Sequence, residues 1–354
     1  RTEPLRTHVL LSSRFSEGWR AFLNIRFQNG GDLGAGDHDD KGEIQLLEAW
    51  FEYRYTKGLR VRGGQFLAPF GYFNTRKFQS PVFATVVLPV MYEEEFLRRA
   101  AAGTIIPPLQ HFQLLGEFES ESWRLGYNLY MGNGSGTDEQ NLDLNSNKSL
   151  GARLWLAPAA QNLTLGGSLY AEKGEFTIRP HMDIKAIVAE AQSLGLPSNE
   201  IVPILPTVSE AETRMTLGVD ARYVKNNFEI RGEFVKSRIT NLSLVDASAI
   251  SDTTQTYTFD GSDFSKTFYY VNLNYTFFEK FTAYFEINGF EDPRHFVFRN
   301  TLRRLTIGAA FRPQPKVVIK TEFHNHLFGE KFNKKPGDFQ NFGMYWTAIS
   351  VFFD

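Results

Sequence analysis

Residues 92 to 99 read Tyr92-Glu93-Glu94-Glu95-Phe96-Leu97-Arg98-Arg99, three carboxylates followed by two guanidiniums at helical spacing. Such a set makes and breaks no bonds. In a narrow, low-dielectric neck, however, fixed charges of both signs create a transverse field that aligns polar solutes and selects ions. The same spacing also suits a short solvated helical turn, with Glu94–Arg98 and Glu95–Arg99 pairs four residues apart. Where the segment lies decides between the two, so the elements around it have to be read first.

Other chemistry-bearing groups are few. His324-Asn325-His326 puts two imidazoles on one strand face, but the sequence brings no third ligand near, so no metal is expected. Zero cysteines exclude thiol catalysis, disulfides, cysteine-ligated metal centres and covalently attached haem. The Gly-x-Ser-x-Gly elbow is absent, and none of the seven histidines adjoins a nucleophile motif, so neither an enzyme nor a cofactor is expected. With 38 basic and 40 acidic residues the formal charge is −2, which argues against a nucleic-acid partner. No apolar run reaches the roughly 18 residues of a membrane-spanning helix.

What dominates the chain is alternation of apolar and polar residues, the period of a strand with two unlike faces. Tyr269, Val271, Leu273, Tyr275 and Phe277 share one face, while Tyr270, Asn272, Asn274 and Thr276 share the other. After a turn at Glu279-Lys280, Phe281, Ala283, Phe285 and Ile287 oppose Thr282, Tyr284, Glu286 and Asn288, which makes a hairpin. Fifteen strands are predicted on this basis, at 5–15, 19–28, 43–56, 59–67, 109–119, 122–132, 149–157, 163–173, 213–224, 227–238, 266–278, 280–290, 302–312, 316–326 and 341–353.

Their connections alternate between short turns and long loops, the latter at 29–42, 68–108, 133–148, 174–212, 239–265, 291–301 and 327–340. All short turns therefore fall at one end and all long loops at the other, the layout of an outer-membrane barrel. One strand face is nearly free of charge, as in Trp19, Ala21, Leu23, Ile25 and Phe27, or Trp123, Leu125, Tyr127, Leu129 and Met131. Aromatic residues crowd the short-turn ends (Phe15, Trp19, Tyr53, Tyr55, Trp123, Tyr223, Phe228, Phe277, Phe281, Phe311 and Phe353), as an interfacial girdle requires. A soluble sandwich would turn its apolar face inward and needs no such girdle. The expectation is one domain over residues 1–354: an all-β, transmembrane, antiparallel up-and-down barrel in the bacterial outer membrane, lipid outside. Bacterial single-chain barrels have an even strand count, so a further strand before Arg1 and a total of about 16 are expected. The segment from Asp183 to Gly195 has helical apolar spacing and is expected to pack a long loop over the barrel mouth.

With that extra strand counted, 68–108 is the third outside loop. The chain enters it through Leu59-Arg60-Val61-Arg62-Gly63-Gly64-Gln65-Phe66-Leu67-Ala68-Pro69-Phe70-Gly71. This Gly-Gln-Phe…Pro-Phe-Gly pattern resembles the phosphate-selective porin family of the porin O/P type, in which such a strand leads into the constriction loop. The final strand, with Thr347, Ile349, Val351 and Phe353 on one face, resembles the assembly signal of such barrels but ends in Asp354. The resemblance implies an inward-folded third loop and passive diffusion of small hydrophilic solutes or ions. It makes Tyr92, Glu93, Glu94, Glu95, Arg98 and Arg99 the constriction set. A family-type phosphate site would use a lysine ladder, whereas the predicted wall carries only Lys320.

Alternation itself places fifteen bases on the lumen face, Arg20, Arg26, Arg54, Arg60, Arg62, Arg124, Arg153, Arg222, Arg231, Arg304 and Lys320 together with Arg6, Arg14, Arg214 and Arg312. Opposing them are fewer acids: Glu48, Glu52, Glu117, Glu119, Glu172, Asp220, Glu229, Glu233, Glu286 and Glu322. A mildly basic wall favours anions, although many of these charges are expected to pair across strands. Gly63, Gly116, Gly167 and Gly232 lie on outward faces and suggest a homotrimer packed through small residues. Two alternatives stand: a sheath around a partner such as an electron-carrying cytochrome, and, less favoured, an outer-membrane enzyme.

Overall fold

The computed structural model describes residues 6–28, 43–77, 84–93, 109–134, 148–158, 162–174, 208–210, 212–240, 243–245, 264–292, 300–328 and 342–351. Fifteen strands form one antiparallel sheet in chain order: β1 (Arg6–Arg14), β2 (Trp19–Gln28), β3 (Glu43–Arg54), β4 (Arg60–Phe66), β5 (Gln110–Glu119), β6 (Trp123–Gly132), β7 (Ser149–Pro158), β8 (Leu163–Gly174), β10 (Glu212–Lys225), β11 (Phe228–Thr240), β13 (Phe264–Phe277), β14 (Phe281–Asp292), β15 (Asn300–Gln314), β16 (Val317–Phe328) and β17 (Phe342–Val351). Each predicted strand is present. Two three-residue strands, β9 (Val208–Glu210) and β12 (Ser243–Val245), pair only with each other, within segments the sequence reading assigns to loops. Three residues are too few to display alternation. The predicted helix at 183–195 lies outside the described residues, as does Phe353.

The faces are inside-out relative to a soluble protein. On β10, Met215, Leu217 and Val219 are exposed while Arg214, Thr216 and Asp220 are buried. The reason is the solvent on each side: lipid covers the outer wall, so apolar side chains stand there, and polar side chains turn to the lumen. The predicted hairpin is present and its faces match, with inward Asn272 opposite Glu286 and outward Leu273 opposite Phe285. Inside the lumen, Asn272 Nδ2 donates to Glu286 at 3.1 Å.

At the short-turn ends aromatic rings pack in pairs, some across neighbouring strands and some along one strand. Trp19 and Tyr53 lie 4.8 Å apart between ring centroids, and Phe277 follows Tyr275 at 4.6 Å. The turn after β13 closes at the Phe277–Phe281 pair, and both Phe278 and Glu279 take positive φ, 50° and 61°. Inward glycines serve a different purpose. Gly126 and Gly151 make room for the rings opposite them, since a Cβ would fall 2.1 Å from Trp155 and from Tyr130 respectively.

Candidate functional site: a loop across the lumen and the passage beside it

Two glycines turn the chain off the wall. Gly64 takes φ +117° beside a bulge in the β4–β5 register, and a Cβ there would lie 2.3 Å from the Ala49 carbonyl oxygen. Gly71 takes φ +64°, and a Cβ there would meet the Glu233 carboxylate at 2.5 Å. Only glycine fits both the dihedral and the close approach. Between them Phe66, Ala68 and Phe70 are fully buried, with Phe70 close against Gly218 of β10.

Beyond Gly64 the loop is tied to the far wall. The Gly71 N–H donates to Ser168 Oγ at 3.0 Å, and the Phe73 N–H to Glu233 Oε1 at 2.6 Å. The Tyr92 hydroxyl donates to Glu233 Oε2 at 2.5 Å, and the Tyr270 hydroxyl reaches Oε1 at 3.2 Å. Burial, then the adjacent Glu233 carboxylate, holds the Tyr92 phenol well above its ordinary value, so it remains a donor. Farther round, Glu322 accepts the N–H groups of Val86 and Val87 at 2.8 and 2.7 Å. Arg304 grips the Glu93 carboxylate and the Leu88 carbonyl, and Lys320 Nζ donates to the Thr85 carbonyl at 3.2 Å. The loop that leaves β4 thus reaches β8, β11, β15 and β16 through the barrel interior.

This docking corrects part of the sequence reading. Tyr92, expected at the water-filled constriction, is 2% exposed and acts as an anchor. Arg231, Arg304 and Lys320 do face inward, but the loop covers them: Arg231 lies 5.7 Å from the Phe73 ring, and the other two hold loop carbonyls. Alternation tells which face a residue is on and says nothing of what lies over that face. Glu93 is half-buried on Arg304, while Glu94, Glu95, Arg98 and Arg99 lie outside the described residues. Lys266, buried on β13, is a second inward lysine that the sequence reading left out.

The histidine pair is likewise committed elsewhere. His324 bonds Glu322 at 2.7 Å and Thr306 at 3.0 Å, and no group of three or more ligating side chains occurs among the described residues.

Most of the remaining predicted residues flank open space. A cavity of about 720 Å³ lies between the loop and the inner faces of β2 to β8 and β10. Among its lining residues are Arg20, Arg60, Arg62, Arg76, Arg124, Arg153 and Arg222, against Glu48 and Glu117. Several are paired: Arg153 with Asp220 at 2.5 Å, Arg62 with Glu52 at 2.7 Å, Arg60 with Glu117 at 3.1 Å and Arg222 with Glu229 at 2.7 Å. Arg20 instead reaches Ser12 Oγ at 3.3 Å, and Arg76 bonds the Tyr72 hydroxyl. Arg26 donates to Gln45, and Arg54 stands at the short-turn mouth beside Arg14 and Arg60. Sequence reasoning missed Arg76, Tyr72 and Trp155: the first two sit in the loop, and the third is an aromatic on a lumen face.

No protein-family model matches the sequence, and no curated protein matches it. Solved structures do. An anion-selective porin from Comamonas acidovorans is 12% identical with TM-score 0.54, over 98% of this chain and 87% of that one. The outer membrane channel DcaP of Acinetobacter baumannii is 12% identical with TM-score 0.53, over 98% and 84%. OmpT of Vibrio cholerae, in its trimer form, is 10% identical with TM-score 0.50, over 97% and 92%. The chain has the fold of these bacterial outer-membrane β-barrels, and its apolar outer band with an aromatic girdle suits that membrane.

Proposed function

We propose that this protein is an outer-membrane porin through which small hydrophilic solutes diffuse passively, with anions preferred over cations. The observation that carries the reading is the passage beside the loop, lined by seven arginines and two glutamates. Arginine-rich walls attract anions and repel cations. In this reading Glu94, Glu95, Arg98 and Arg99, which follow the anchored Glu93, stand at the neck of the passage. The finer kinship to the phosphate-selective porin O/P type rests on residues 59–71.

A channel rather than an enzyme is favoured because, among the described residues, the lumen carboxylates Glu172, Asp220, Glu233 and Glu322 are committed to pairing and loop docking. A sheath around a partner protein is disfavoured, since the loop occupies the space that a partner would fill. A homotrimer is also proposed, centred on Gly167, the outward glycine at which an added Cβ would have nothing within 4 Å. Gly116 is covered instead by the β3–β4 turn, with the Gly58 carbonyl 1.9 Å from where its Cβ would be. The test is reconstitution of the purified protein in planar bilayers and sugar-loaded liposomes. Stepwise conductance with swelling in small neutral solutes is expected; tight bilayers and no swelling would overturn the reading.

A further inference from the structure

In the passage, guanidiniums are set against aromatic rings. The Arg76 guanidinium carbon lies 4.2 Å from the Tyr72 ring centroid and that of Arg222 lies 5.6 Å from the same ring. On the wall, Arg124 lies 6.0 Å from the Trp155 ring, which is half-buried and seated over Gly126. Inorganic anions use only the charge of such a lining. Flat aromatic faces beside weakly hydrated, planar cations offer more to a solute that has both a carboxylate and a ring: charge-assisted bonds to arginine, and stacking on the aromatic or guanidinium plane.

We propose that the passage retains aromatic monocarboxylates in preference to aliphatic ones, at a site formed by Trp155, Tyr72, Arg76, Arg124 and Arg222. The site rests on the porin reading above and narrows its solute class. Trp155 supplies a fixed ring, because the missing Cβ at Gly126 holds it against the wall. Tyr72 supplies a second ring from the loop, with the Arg76 and Arg222 guanidiniums 4.2 and 5.6 Å from its centroid.

The experiment is single-channel recording in potassium chloride with benzoate or acetate added on one side, two probes of equal charge and the same headgroup. Benzoate should interrupt the current at concentrations about fivefold lower than acetate, the factor expected of one aromatic stacking contact. Trp155→Leu, and separately the loop variant Tyr72→Leu, should bring benzoate close to acetate, whereas Trp123→Leu in the girdle should leave the difference in place. Equal action of benzoate and acetate on the unaltered protein, or a difference that survives both ring variants, overturns the proposal. Should the channel show no preference for chloride over potassium, it is the porin reading's anion preference that fails; with that preference intact and the two carboxylates equivalent, only the aromatic site fails.

Discussion

The Glu322 carboxylate on β16 accepts the Val86 N–H at 2.8 Å, which ties a wall strand to a loop that left the wall at β4. The same carboxylate takes the Val87 N–H at 2.7 Å and the Tyr284 hydroxyl at 2.5 Å. Glu322→Ala removes these three charge-assisted bonds together with the one to His324, each worth about 1.5–3 kcal/mol. The barrel strands keep their own hydrogen bonds, so the variant should insert normally, with higher and noisier single-channel conductance. A trace identical to that of the unaltered protein would show that the loop does not depend on this tie.

Gly71→Ala tests the other anchor. The substitution puts a Cβ at a positive φ and 2.5 Å from Glu233 Oε2, so Glu233 must move away from the Phe73 and Tyr92 donors. Faster cleavage of the loop by added protease is expected, alongside unchanged heat-modifiable migration of the barrel. Protection equal to that of the parent would refute the role assigned to Gly71.

Arginines of one type should differ by place. Arg20→Ser and Arg76→Ser remove passage charges that hold no carboxylate among the described residues, so stability should change by less than about 1 kcal/mol while anion preference falls. Arg304→Ser strips the partner from Glu93 and leaves Glu286 nearby, a buried-charge defect of about 3–5 kcal/mol. Urea unfolding of the three variants in lipid would rank them.

Gly167 lies among exposed Leu154, Leu165, Leu169 and Val219 on neighbouring outward positions of β7, β8 and β10. If copies pack there, Gly167→Trp should shift the mass in mild detergent from trimer to monomer. A trimer in both proteins would move the interface elsewhere, and a monomer in both would remove it.

How far the sequence could be read follows from what alternation encodes. Paired residues such as Leu273–Phe285 and Asn272–Glu286 were legible because each side chain reports its own solvent. The inward course of the loop was legible only through a glycine pattern, for which Gly64 and Gly71 now supply the physical reason. The split of the wall was not. Arg124 and Arg304 have the same type and the same inward phase, yet one borders the passage and the other lies under the loop, because their difference is made by contacts some two hundred residues away in the chain.

If the docked loop confines water to the basic side of the lumen, the channel must prefer anions. The reversal potential of the unaltered protein in a potassium chloride gradient tests this most directly. The expected potential is displaced toward the chloride equilibrium value, reduced when Arg98 and Arg99 are replaced by serine and increased when Glu93, Glu94 and Glu95 are replaced by glutamine. A potential at zero or displaced toward potassium would contradict it.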